Sequence, residues 1–467
     1  MLKKNLESEH VGEDRKHRGR FWRKTRWAFI FSVTLVALFP VRLAAQTTSS
    51  AAPTSDQGFG YGTGVQTPLQ FAGENAPENL AALSFGASAY YDDNVLASNT
   101  GQVGDEALSL NSNLRISRQT KNLALGFDYA PFFQLYRQLG KDSQLNQVAS
   151  LDLAYLLAPR FILGLHDTFG YQYGAYPSLN EEPILSGPTS PTALNQLIFP
   201  YTVRTLTNMA GLDLTFKKSR RTSVTFSGGY NLGRFGNQAG AIESLYNNKG
   251  AHGGVKFKYR ATEHTSFGFA LDHHDSTYQL GGVFGQRTQN ESALLSVESR
   301  LSPTLIVTVN GGTQYVHTLG QSSVEAGAGH GFYGAGGGSI TEEVRNTALT
   351  FSVQRNVSDG GGLYTSVIST SANLGVRRRL VGRWEADLHG GAERGTTQFS
   401  QVGNEKTDVV IGGLDFRRPI LNGSILHISY ATMHELNKGT FQVFQGFDRN
   451  QVSIGVDFRV KAFSLGQ

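Results

Sequence analysis

Val452-Ser453-Ile454-Gly455-Val456-Asp457-Phe458-Arg459-Val460 carries an apolar side chain at every even number and a small or charged one at every odd number. Successive side chains of an extended chain point to opposite faces, so the stretch reads as a β-strand with one apolar face and one wet face. The period recurs upstream. Leu123, Leu125, Phe127 and Tyr129 alternate with Ala124, Gly126, Asp128 and Ala130, and Val255, Phe257 and Tyr259 alternate with Lys256, Lys258 and Arg260. Such segments run about 10–14 residues, beyond the ~5–6 of a common strand and close to the ~9–11 that cross a bilayer at a tilt.

The connections between them fall into two kinds. Short turns are expected at Pro159, Lys218 to Arg221, Ser302-Pro303-Thr304, Val381-Gly382-Arg383 and Pro419 to Gly423. Longer polar loops are expected near 92–105, 176–200, 234–247, 318–330 and 437–449. One short rim and one long rim is the layout of a transmembrane barrel. The expectation is an all-β, antiparallel, up-and-down barrel of 18 strands, both termini periplasmic, with 16 as the fallback because the glycine-rich stretch 325–345 resists parsing. A soluble β-sandwich also alternates, so strand length and loop asymmetry carry the distinction. Tyr91, Phe169, Tyr171, Tyr173 and Tyr315 near long-loop ends, and Tyr155, Phe161, Phe216, Tyr259, Trp384 and Phe416 near short-turn ends, fit two interfacial girdles.

The chain has 467 residues, 55 of them glycine and none cysteine, which leaves no disulfide and no thiolate metal site. Its net charge of +5 is uneven. Residues 1–45 hold ten Lys/Arg and four Asp/Glu, leaving 32 basic against 33 acidic residues beyond, so a nucleic-acid partner has no electrostatic basis. Lys3 to Arg26 is basic, Trp27 to Val41 is apolar, and Leu43-Ala44-Ala45 precedes Gln46: a secretory signal peptide over 1–45. No later run approaches the length of a spanning helix. Residues 46–79, rich in Ser, Thr, Gly and Pro, read as a flexible periplasmic linker, 80–463 as the barrel and 464–467 as a short tail.

Ser453, Gly455, Phe458 and Val460 resemble the polar-x-Gly-x-x-apolar-x-apolar signal by which the barrel-assembly machinery recognises outer-membrane proteins. That signal usually ends on a terminal aromatic, a part open here to Phe458 or to Phe463, which Ser464 to Gln467 follow. Leu83 to Tyr91 with Asp92-Asp93-Asn94 resembles the opening strand of barrel porins found near exopolysaccharide loci. The resemblance implies an outer-membrane channel; it names a family and no solute.

If the apolar parity faces lipid, the other parity lines the lumen. The basic lumen positions are then Arg115, Lys256, Lys258, Arg260, Arg300, Arg377, Arg379, Arg417 and Arg459. The acidic ones are Asp128, Asp152, Asp213, Glu298, Glu385, Asp387, Asp415 and Asp457. Mixed signs predict weak ionic selectivity. Glu298 with Arg300, Asp415 with Arg417 and Asp457 with Arg459 share a face at i, i+2, as a charged ring or as solvated pairs.

Candidates for chemistry are few. Asp272-His273-His274-Asp275 is dense in catalytic residue types, but only Asp272 and His274 share a face, and a hydrolase needs a nucleophile and an oxyanion site besides. Asp92-Asp93-Asn94 could ligate a divalent cation, although turn formation accounts for the same residues. Gly329-His330-Gly331-Phe332-Tyr333-Gly334 matches G-x-G-x-x-G without the βαβ unit that gives that motif meaning. The expectation is an outer-membrane pore or export channel for hydrophilic solutes, saccharides among them, without enzymatic activity, cofactor or metal. Its partners are outer-membrane lipid and lipopolysaccharide, the assembly machinery during insertion, and the solute; oligomeric state stays open. The rivals are a surface hydrolase of barrel form, using Asp272 and His274, and a non-conducting recognition barrel.

Overall fold

The computed structural model describes residues 79–96, 101–139, 144–173, 204–236, 247–280, 284–320, 329–360, 364–397, 406–421, 423–438, 446–460 and 463–465. The expected signal peptide over 1–45, the expected linker up to residue 78 and the 176–200 loop lie outside the described residues, as do the middle portions of the 234–247, 318–330 and 437–449 loops.

Eighteen long strands form the wall. They are β1 (Leu80–Asp92), β2 (Asp105–Gln119), β3 (Leu123–Tyr136), β4 (Gln144–Ala158), β5 (Phe161–Tyr173), β6 (Arg204–Lys217), β7 (Thr222–Phe235), β8 (Asn247–Arg260) and β9 (Thr265–Leu280). Then follow β10 (Phe284–Arg300), β11 (Leu305–Gly320), β12 (Gly329–Val344), β13 (Thr347–Gly360), β14 (Tyr364–Arg379), β15 (Glu385–Thr397), β16 (Lys406–Leu421), β17 (Ser424–Lys438) and β18 (Asp448–Arg459). Each pairs antiparallel with the next, and β18 pairs back onto β1 from Ser84↔Arg459 to Asp92↔Gln451, so the sheet closes. The two-residue β19 (Phe463–Ser464) continues the last strand beside Ala81 and Leu80, placing Ser464, the first residue of the expected tail, against the wall.

The eight connections from an even strand to the next odd one lie at one rim, together with the start of β1 and the end of β18. Local hydrogen bonds explain why these turns are tight. Ser219 Oγ accepts from the N–H groups of Arg221 and Thr222, each at 3.1 Å, and Ser302 Oγ from those of Thr304 at 3.2 Å and Leu305 at 3.0 Å. Gly423, at φ 80, passes so close to the last strand that a Cβ would stand 2.7 Å from the Arg459 carbonyl oxygen. The opposite rim is less uniform than the loop pattern predicts, because residues 281–283 and 361–363 are three-residue links among longer ones.

The polarity of the wall is reversed from that of a soluble protein. Leu295, Val309, Phe226, Leu271, Leu388, Val452, Ile454 and Phe458 are exposed, while Asp92, Gln451, Thr318, Ser276, Ser352 and Asn146 are buried. The polar set is the concave one: Lys258 of β8 reaches over Gly268 of β9 to Glu298 of β10, a crossing open only to side chains that converge. On the convex face the apolar residues form a band. It runs Tyr259, Phe257, Val255 on β8, Phe267, Phe269, Leu271 on β9 and Phe351, Val353 on β13, then yields to Lys249, His273 and Arg355 nearer the long loops. A tilted strand gains roughly 2.5 Å of height per residue, so ten residues from the short turns reach ~25 Å, the height of a barrel's apolar band. Tyr155, Phe161 and Tyr259 are exposed at its lower edge and Tyr91 and Phe332 at its upper edge; Phe161 packs on Phe216 with ring centroids 5.0 Å apart.

Candidate functional site: the inner wall

The seventeen charged positions read from the sequence alternate along their strands with the exposed apolar set. The bonds they make run across strands. Arg115 Nε donates to Asp128 Oδ1 at 2.8 Å, and Lys258 Nζ to Glu298 Oε2 at 3.2 Å. Arg377 and Glu385 form an ion pair. The acidic members of the expected i, i+2 couples also have partners on neighbouring strands, where Cβ atoms facing across a ladder lie about 5 Å apart. Thus Glu298 bonds Lys258, Asp415 lies 3.6 Å from His389 Nδ1, and Asp457 3.2 Å from His427 Nδ1.

Histidines are the part of this wall that sequence reasoning missed. His166 sits between two acids, its Nδ1 2.7 Å from Asp152 Oδ1 and its Nε2 3.2 Å from Asp213 Oδ2, tying β4, β5 and β6 together. His252, His389 and His427 each face a glycine across the ladder, at Gly229, Gly413 and Gly455. A Cβ on any of the three glycines would fall within 2.4 Å of the ring. The rings therefore lie flat over the neighbouring strand because glycine leaves the floor open. The signal was present in the sequence: Asp152 and His166 are seven residues either side of the turn at Pro159 and pair directly.

Asp272 and His274 share the concave face of β9, yet they are not brought together as a catalytic couple. His274 Nε2 bonds Ser276 Oγ at 2.5 Å and its ring stacks on His252 at 6.1 Å, while Asp272 stands opposite Ser292 and Gly254. Ser276 is 1% exposed, which keeps its hydroxyl from a substrate and makes it a positioning contact for the ring.

Asp92-Asp93-Asn94 is a latch. Asp92 accepts Arg449 Nε at 2.8 Å and Nη2 at 2.5 Å, with side chains 0% and 3% exposed. Asp93 accepts the Asn450 backbone N–H at 2.6 Å and its Nδ2 at 2.7 Å, and Asn94 Nδ2 donates to the Asp448 carbonyl at 2.8 Å. Carboxylates so occupied are hydrogen-bond acceptors of protein groups, and no metal-ligating cluster occurs among the described residues. Nearby, Tyr90 meets Tyr136 edge-on at 6.3 Å. Gly329 to Gly334 lies within β12, in a ladder with β11, so the glycine motif is part of a β-sheet.

Of the residues resembling an assembly signal, Ser453 is on the concave side bonded to Ser429, Gly455 floors His427, and Phe458 and Val460 are exposed. Above the apolar band, the convex face carries its own ion pairs, Arg287 with Asp275 and Arg394 with Asp408, and a hydrogen bond between His434 and Asp448.

No protein-family model matches the sequence. No curated protein matches it. Among solved structures, the chain is similar to the outer membrane protein opdK of Pseudomonas aeruginosa, with 12% identity, 82% of this chain and 99% of that one covered, and a TM-score of 0.40. It is similar to OccK11 (OpdR) of the same organism, with 13% identity, 82% and 98% covered and a TM-score of 0.39. The ferric citrate transporter FecA gives 11% identity, 82% and 64% covered and a TM-score of 0.45.

Proposed function

We propose that this protein is a passive channel of the bacterial outer membrane, and that hydrophilic solutes cross through its bore. The observation that carries this reading is the reversed polarity of a closed barrel: exposed apolar side chains outside, paired charges and hydroxyls inside. Such a wall satisfies most of its backbone hydrogen bonds without water and faces lipid mainly with apolar side chains over the height of the band, the Asp167 carboxylate on that parity being bonded by Asn208 Nδ2 at 2.7 Å. In this reading the 1–45 leader directs export, the short-turn rim and both termini face the periplasm, and Ser453, Gly455, Phe458 and Val460 engage the assembly machinery. His273, Arg287, Arg355 and Arg394, convex and above the band, then meet the anionic headgroups of lipopolysaccharide.

The solute class follows from the lining. Charges of both signs occupy the wall, while the inner faces of β10 and β11 present Ser292, Ser296 and Thr308. Hydroxyls and paired charges suit uncharged, hydroxyl-rich solutes such as saccharides and discriminate little between small ions. The test is single-channel conductance of the folded chain in a planar bilayer. Repeatable current steps with weak ion preference are expected, and reversal of Lys256 and Lys258 to Glu should turn that preference toward cations. Silence from a chain shown to be inserted would overturn the reading.

A further inference from the structure

The ladder between β12 and β13 stops partway up. It runs from Val344↔Thr347 to Gly336↔Arg355; continued, it would set Ala335 to Gly331 opposite Asn356 to Gly360, five successive positions at which the two strands do not pair. Both chains remain strands there, β12 held by β11 as far as Thr318↔Gly329 and β13 by β14 as far as Gly360↔Tyr364. This is the longest such break among the described residues.

Side chains from farther round the barrel hold the end of β13 instead. The Val357 N–H donates to Gln314 Oε1 at 2.8 Å, and its carbonyl accepts Gln314 Nε2 at 3.0 Å and Asn290 Nδ2 at 3.4 Å. Gln314 and Asn290 belong to the concave faces of β11 and β10, so β13 leans into the bore behind β11 while β12 stays outside, and the wall overlaps itself. Val357 shares the outward parity of Phe351, Val353 and Arg355, yet it is 2% exposed, and Val316 on the concave face of β11 is 0% exposed. The bend rests on glycine. A Cβ on Gly336 would stand 2.7 Å from the Asn310 carbonyl oxygen, and one on Gly337 2.3 Å from that of Val353.

The fork opens at the height where the convex face turns from apolar, at Val353, to charged, at the exposed Arg355. Its other lip carries Phe332, 77% exposed, with Tyr315 at 4.7 Å. An amphiphile in the outer leaflet would keep its chain along the apolar band and its head at this level. We propose that the β12–β13 fork is a lateral port admitting single-chain anionic amphiphiles, bearing a phosphate or carboxylate head that Arg355 receives, between the outer leaflet and the bore. The port rests on the membrane placement argued above and adds a route that a simple pore lacks. Gln314 is its latch, since its amide bonds both the N–H and the carbonyl of Val357 where β12 no longer pairs with β13.

The experiment uses the folded chain in phosphatidylcholine vesicles, with fluorescent lysophosphatidic acid in the outer leaflet and albumin trapped inside. Because the chain has no cysteine, Gln314→Cys with Val357→Cys can be bridged selectively by a short bis-maleimide. Bridging should slow transfer of the probe severalfold and leave ion conductance intact, with no effect of the reagent on the parent chain. Gln314→Ala should speed transfer by up to about tenfold, the scale of a lost pair of hydrogen bonds. Arg355→Gln should slow lysophosphatidic acid but not a neutral monoacylglycerol. Transfer unchanged by both the bridge and Gln314→Ala would overturn the port. A chain that conducts without transferring also overturns it and leaves the pore standing; one that transfers without conducting does the reverse.

Discussion

The strands that no covalent link holds together are joined to the rim, while a pair connected by a two-residue turn comes apart. β1 and β18 lie at opposite ends of the barrel's sequence, and their junction carries Asp92, Asp93 and Asn94 bonded to Arg449, Asn450 and Asp448. β12 and β13 share the turn at 345–346, yet above Gly336↔Arg355 they are linked through Gln314 and Asn290 of other strands. Proximity in sequence secures the lower part of a hairpin and does little for its tip. Where the wall must stay shut, the chain spends charged, buried hydrogen bonds; where it departs from the ladder, neutral amides suffice.

The contrast can be broken at its strong side first. Arg449→Leu strands the buried Asp92 carboxylate and should remove about 3–5 kcal/mol of stability, read as a lower urea midpoint and early loss of the compact, heat-resistant band on a gel. An unchanged midpoint would mean that the latch is decoration. Gln314→Ala should cost less, about 1–3 kcal/mol, because the Val357 backbone groups lose neutral partners. If it cost as much as Arg449→Leu, the fork would be a structural joint of the same rank as the seam. Smallest of all, Arg394→Ala at an exposed pair of the convex rim should leave the midpoint where it stands, since solvent and salt screen such pairs.

Much of this architecture was legible because alternation survives without tertiary information. The even-number apolar rule in 452–460, the turns at Pro159 and Ser302 to Thr304, and the eighteen strands all follow from local pattern. Gly334 to Gly338 hides the fork, because residues with little or no side chain have no parity to read. Partners on the inner wall were harder still. That Lys256 and Lys258 share a face with Glu298 follows from period two, but that Lys258 crosses Gly268 to reach it depends on the register of two ladders. Asp92-Asp93-Asn94 could be read as turn or metal site; its role was settled by a strand some 360 residues away.

That distance has a kinetic meaning. The contact between Asp92 and Arg449 spans 357 positions, so the ring cannot be completed until the final strand exists. Before then the growing sheet carries two naked edges with an apolar flank, the condition under which strands add to the wrong neighbour. Closure is thus a late, high-contact-order event and should be the slow phase of refolding. A chain truncated before Arg449 would be expected to aggregate rather than settle as a smaller barrel.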